Sequence, residues 1–175
     1  MERYVFLDFD GVLNTGRYQR ELLAMGKVGR DIFGPLFDPW AVDFLRLIIE
    51  RSGAQLVITS SWRTEGLVVM RELWQSRSLP GVVADVTPFY LYGTYRDSLN
   101  GELSMGLTPG CRGVEIAEWL ARHAEPGAPY VILDDEEDLL LSQAPRFVRI
   151  NAETGITMTD VRRAVDVLKL KSVLR

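Results

Sequence analysis

Short apolar runs alternate with amphipathic stretches along the whole chain, and this alternation restricts the fold more than any other feature. Tyr4 to Leu7 reads as a buried strand, Gln55 to Thr59 as a second and Val82 to Val86 as a third. Tyr130 to Leu133 and Phe147 to Ile150 read as two more. Between them the 3.6-residue period predicts helices over Pro39 to Arg51, Thr64 to Ser76, Arg112 to Ala124 and Thr159 to Leu170. The first has a full set of signals: Asp38 as N-cap, Pro39 at the first helical position, an apolar stripe of Phe44, Leu45, Ile48 and Ile49, and Gly53 as its stop. A β-α-β-α order predicts an α/β protein, with a mainly parallel sheet between two layers of helices. The 175 residues fit a single domain over 1–175, and 47% hydrophobic content supplies a core without disulfides. Cys111 is the only cysteine, which excludes an intrachain disulfide and a cysteine zinc site and suits a cytoplasmic setting. A net charge of −4 gives no global attraction to nucleic acid. The apolar runs are too short to cross a bilayer, and the start, Met1-Glu2-Arg3-Tyr4-Val5, leaves no room for a signal peptide.

Open parallel sheets bind ligands outside the carboxyl ends of their strands, so the residues following each strand are the candidates for function. Strand one runs into Asp8 and Asp10. Two carboxylates two residues apart share a face and repel, and a divalent cation removes the repulsion; an Asp-Gly turn is the competing reading. Strand two runs into Thr59, Ser60 and Ser61, which suit either a phosphate cradle or helix capping, with capping favoured for Ser61. The Tyr130 strand runs into Asp134 and Asp135, which suit a cation or a helix N-terminus. Arg112 opens a helix and offers a cation for phosphate, unless it pairs with Glu115 one turn on. The joint pattern of acids, hydroxyl, cation and acids is far more specific than any member.

These residues resemble the motifs of the haloacid dehalogenase (HAD) superfamily of phosphohydrolases. Val5-Phe6-Leu7-Asp8-Phe9-Asp10-Gly11-Val12-Leu13 is similar to the first motif, and Leu56-Val57-Ile58-Thr59 followed by Ser60 to the second. Arg112 is the best candidate for the third, and Val131-Ile132-Leu133-Asp134-Asp135 matches the fourth. The phrases Ile58-Thr59-Ser60-Ser61-Trp62-Arg63 and Arg112-Gly113-Val114-Glu115-Ile116-Ala117-Glu118-Trp119-Leu120 look most like the small HAD group associated with Swiss army knife RNA repair proteins. The resemblance implies a Rossmann-like sheet and a Mg2+-dependent phosphatase acting through an aspartyl-phosphate. In that scheme Asp8 is the nucleophile, Asp10 the acid and base, and Thr59, Ser60, Arg63 and Arg112 hold the phosphoryl group. Magnesium is assigned to Asp8, Asp10 (through its main-chain carbonyl), Asp134 and Asp135, with Asp134 favoured over Asp135 as direct ligand and Asp135 left either to orient Arg112 or to support the metal from behind its ligands. The second acid, Asp10, favours phosphate transfer over dehalogenation. No Gly-Lys-Ser or Gly-Lys-Thr loop is present, which argues against a P-loop kinase.

About 48 residues separate Asp10 from Thr59, so residues 15–38 form at most a small flap, and 87–110 a loop or hairpin near the site. An open site of this kind admits a macromolecular end, such as a nucleic-acid or protein phosphate, and a nucleotide or nucleic-acid end is the phosphorylated substrate considered. Phe89, Tyr90, Tyr92 and Tyr95 are candidates for stacking on bases, with packing of the hairpin itself preferred. Arg17, Arg20, Lys27, Arg30 and Arg96 are candidates for phosphate contacts. A small-metabolite phosphatase capped by an oligomer partner and a non-catalytic binding domain of the same fold are the alternatives. His123 reads as a helix-end cap, Cys111 as a small buried thiol, and the four tryptophans as core or edge packing.

Overall fold

A computed structural model gives the architecture of the chain. It describes residues 1–90 and 110–169, and between them the backbone of four two-residue strands at 91–92, 95–96, 103–104 and 108–109. A five-stranded parallel sheet forms the centre, built from β1 (Tyr4–Leu7), β4 (Gln55–Ile58), β5 (Val83–Val86), β10 (Tyr130–Asp134) and β11 (Phe147–Arg149) in the order β11-β10-β1-β4-β5. The first strand therefore lies in the middle, with Leu7 opposite Leu133 on one side and Ile58 on the other. Asp8, Asp134 and Thr59 come to one edge as a direct consequence of that register.

The alternation within each strand divides the core in two. Val5, Leu7, Leu56, Ile58, Val131 and Leu133 face one layer, which holds α2 (Pro39–Ser52), α3 (Leu67–Ser76) and α5 (Met158–Lys169). Tyr4, Phe6, Val57 and Ile132 face the other, where Ile116 and Trp119 of α4 (Arg112–His123) cover them. This is the three-layer α/β/α sandwich that the sequence predicts. Burial of these side chains is worth roughly 1.5–3 kcal/mol each. The α2 signals act as read: Asp38 Oδ1 accepts from Trp40 N at 2.9 Å, and Gly53 ends the helix at φ 66°.

Residues between the first two sheet strands hold more structure than a loop. They form α1 (Gly16–Ala24) and a hairpin of β2 (Arg30–Asp31) and β3 (Gly34–Pro35). Asp38 ties their base to α2, its Oδ2 accepting from Thr15 Oγ1 at 2.9 Å and Arg17 Nη2 at 2.8 Å. Arg77 of the turn after α3 holds the hairpin through Asp31, with Nη2 to Oδ1 at 2.7 Å, and lies over the Phe37 ring at 4.5 Å. In the second insertion, β6 (Leu91–Tyr92) pairs with β9 (Thr108–Pro109), and β7 (Tyr95–Arg96) with β8 (Leu103–Ser104), all antiparallel. These pairings fall within residues 87–110, most of whose positions lie outside the described residues. At the foot of the insertion Gly110 N donates to Tyr90 O at 2.7 Å.

Boundaries shift by a residue or two, and the stretch from Thr64 divides into a 3-10 helix over Ser61–Glu65 and α3, broken at Gly66 with φ 91°. Ser60, not Ser61, caps that 3-10 helix, accepting from Trp62 N at 3.5 Å. No helix among the described residues is long and apolar enough to cross a membrane.

Candidate active site

Asp8 leaves β1 at the centre of the sheet edge and is only 6% exposed. Its backbone N donates to Leu133 O at 3.1 Å, continuing the ladder so that the carboxylate is held beside β10. Asp134 ends β10 and is buried, with Oδ1 accepting from Glu136 N at 2.9 Å in a tight turn rather than a helix cap. Asp135 follows. Oxygens of Asp8, Asp134 and Asp135 lie within 4.8 Å of one another. Gly11 makes the approach feasible: its φ is 73°, and a Cβ there would sit 2.5 Å from Asp135 Cγ.

Arg112, the first residue of α4, bridges the two buried acids through one nitrogen. Its Nη1 lies 3.1 Å from Asp8 Oδ1 and 2.6 Å from Asp134 Oδ2. Burial would lower the Arg112 pKa, but the two carboxylates outweigh it and hold it above the ordinary value. Arg112 thus reaches Asp134, and not Asp135 as one of the two roles offered for Asp135 required. The helical pairing of Arg112 with Glu115 does not form, because Glu115 is engaged by Arg63. Burial raises the Asp8 carboxyl, against Arg112, the Phe9 backbone and Ser60, which lower it. Burial likewise pushes Asp134 up to about 7, with Asp8 adding to the rise and Arg112 opposing it.

Asp10 stands outside this cluster by its side chain. It is exposed, and each oxygen is held: Oδ1 accepts from Asn14 Nδ2 at 2.7 Å and Oδ2 from the Trp62 indole N–H at 2.9 Å. Asn14 is itself fixed by Gln19 of α1, whose Nε2 donates to Asn14 Oδ1 at 2.9 Å and to Leu36 O at 2.8 Å. Sequence reasoning read Trp62 as packing and missed this contact; an indole N–H needs an acceptor, which was the available signal. Thr59 is fully buried after β4, and its Oγ1 has no hydrogen-bond partner among the described residues.

Arg63 departs from the expected substrate contact. It is 5% exposed and anchors backbone instead. Its Nη1 donates to Thr59 O and, at 2.8 Å, to Ser60 O; its Nε donates to Thr87 O at 3.2 Å and Nη2 to Pro88 O at 3.3 Å. Nη2 also meets Glu115 Oε2 at 2.5 Å, and Glu115 Oε1 accepts from Tyr90 N at 3.0 Å. Burial lowers the Arg63 pKa, with Glu115 opposing. Five groups around one guanidinium leave it nothing to offer a phosphate; what it does is fix the backbone under Thr59 and Ser60.

The fold and this constellation agree with the comparison against known families. A family model described as the HAD domain in Swiss Army Knife RNA repair proteins matches residues 4–161. The chain belongs to that family. No curated protein matches it. As a HAD domain it carries a phosphatase-type family signature, and HAD domains generally use a metal.

The donor set of this HAD domain fits a hard divalent cation. Three clustered carboxylates face one guanidinium, so in their ionised form they leave an excess of negative charge in a partly buried space that a cation would offset. All the ligand atoms are oxygens, as magnesium prefers. Asp8, Asp134 and Asp135 are the residues that would hold it; the Asp10 carboxylate does not join them.

Several peripheral expectations change. Arg17 pairs with Asp38 and Arg20 with Glu153, whereas Lys27 and Arg30 are exposed. Phe89 lies under Arg63, with 5.0 Å from guanidinium carbon to ring centre. The side chains of Tyr92, Tyr95 and Arg96 lie outside the described residues. His123 stacks on Trp119 rather than capping, Cys111 is half-buried at the N-cap of α4, and Trp40 is 66% exposed.

Proposed function

We propose that this HAD domain is a magnesium-dependent phosphomonoesterase that works through an aspartyl-phosphate on Asp8. The supporting observation is the meeting of Asp8, Asp134, Asp135 and Arg112 at the end of the central strand. In this reading Asp8 Oδ attacks phosphorus while the bond to the leaving oxygen breaks, and a proton on Asp10 passes to that oxygen. Water then attacks the phosphorus and gives its proton to Asp10, the bond to Asp8 breaks, and inorganic phosphate leaves. Asn14 and Trp62 orient the Asp10 carboxylate for both transfers. Arg112 offsets the charge on Asp8 and the incoming phosphate, and the Thr59 hydroxyl, buried beside the edge with no partner among the described residues, is assigned to a phosphoryl oxygen. The bound cation would neutralise the phosphate and lower its repulsion by the acids.

The substrate class proposed is a nucleotide or a nucleic-acid 3′-phosphate end. Hydrolysis of p-nitrophenyl phosphate with magnesium tests the chemistry, and equal activity in Asp8→Asn would eliminate the nucleophile. A panel of 3′-phosphorylated oligonucleotides, mononucleotides and sugar phosphates tests the substrate; preference for sugar phosphates would favour the small-metabolite alternative.

A further inference from the structure

Beside Asp10 the surface opens into a cleft of about 480 Å³, a volume in the range of small-molecule sites. Its walls come from two separate parts of the chain. The β2–β3 hairpin contributes Ile32, Phe33 and Pro35, and α3 with the preceding 3-10 turn contributes Trp62, Val69 and Leu73. The hairpin is fastened in this position. Gly34 packs against the Trp62 ring so closely that a Cβ would lie 2.8 Å from it, and Arg77 holds Asp31. Polar groups sit at the margin: Asp10, Thr64 and Glu65. Among the described residues lining the cleft none is a cation, and its two charged residues are both acids.

The geometry points to this cleft as the leaving-group subsite, shaped for an uncharged aromatic alcohol of nucleoside size. The inference rests on the phosphomonoesterase reading, in which Asp10 protonates the leaving oxygen. A group attached to that oxygen continues past Asp10, and this cleft is what it meets there. Apolar and aromatic walls favour a flat apolar body. Thr64 and Glu65 provide acceptors for hydroxyl or amino hydrogens. A second phosphate or a carboxylate on the leaving group would face only acids, so monophosphates of neutral alcohols, mononucleotides among them, are selected over bisphosphates, phospho-acids and the phosphate-bearing end of a nucleic acid. Phe33 and Val69 become specificity-determining residues, and Trp62 serves the cleft and Asp10 together.

The test reads binding of the alcohol without turnover. Wild-type protein is titrated calorimetrically with uridine, with 2-naphthol and with glycerate, in the absence of metal. Uridine or 2-naphthol binds, and glycerate does not. Val69→Arg puts a cation in the wall and Val69→Trp fills the space, and each weakens binding of the aromatic alcohols at least tenfold, with folding checked by circular dichroism. Glycerate binding as tightly as the aromatic alcohols, or either folded variant binding them as the wild type does, would overturn the assignment. Absence of phosphatase activity in all proteins, with binding as described, would remove the proposed reaction and leave the cleft's preference standing.

Discussion

Replacing Arg63 with methionine separates a structural arginine from a substrate-binding one. The Arg63–Glu115 pair has both side chains only 2% exposed, so methionine leaves the Glu115 carboxylate buried without its partner. Removing one member of a buried pair costs about 3–5 kcal/mol, because the remaining charge keeps its desolvation penalty. Four carbonyls, of Thr59, Ser60, Thr87 and Pro88, lose a donor as well, which holds the cost toward the upper end. With a urea slope of about 2 kcal/mol/M, the unfolding midpoint should fall by roughly 2 M with the slope unchanged. The double variant Arg63→Met with Glu115→Leu removes both charges and should recover part of that loss. Urea titration followed by circular dichroism measures all three proteins. A wild-type midpoint in Arg63→Met, combined with a raised KM for phosphate esters, would return Arg63 to the substrate and refute the anchoring role.

Further perturbations have defined outcomes. Asp8→Asn should reduce turnover of p-nitrophenyl phosphate by about three orders of magnitude or more, read by single-time-point phosphate release. EDTA should abolish that turnover and excess magnesium restore it, since the three-acid cluster would otherwise repel the substrate. Hydrogen bonds from Arg77 hold the Asp31 carboxyl below the ordinary carboxylate range. Such a group adds stability above its unfolded pKa and loses it as pH falls through the folded one, so the Tm gap between wild type and Asp31→Asn should be full near neutrality and close below about pH 4. Gly113→Ala should cost about 1–3 kcal/mol in thermal or urea unfolding, because the new Cβ would lie 2.4 Å from the Leu140 backbone N.

The sheet and its reactive edge were legible because each carries a local signal. Tyr4–Leu7, Gln55–Ile58 and Tyr130–Leu133 are uninterrupted apolar runs, and the parallel order turns three separate strand ends into one place. Helix α1 gave no such signal: Gly16–Ala24 buries only Leu22, so it has no stripe to read. The β2–β3 hairpin has two residues per strand, too few for a period of two to register. Arg63 was misread for a different reason. It directly follows the Thr-Ser-Ser-Trp phrase at the site, but the groups that consume its donors come from Thr87, Pro88 and Glu115, which only the tertiary fold assembles. Asp10 and Trp62 are likewise 52 positions apart and meet only in three dimensions.

The hydrogen bond from Gly110 N to Tyr90 O means that the second insertion leaves and rejoins the sheet domain at a single point. Arg63 and Glu115 clamp the outgoing chain at Thr87, Pro88 and Tyr90. A segment closed at its foot in this way is a graftable module. Doubling its length adds only about 0.6 kcal/mol of closure entropy, so such a change is expected to leave Asp8 and Arg112 in place. Residues 91–109 therefore mark the seam at which a designer would cut without touching the sheet edge.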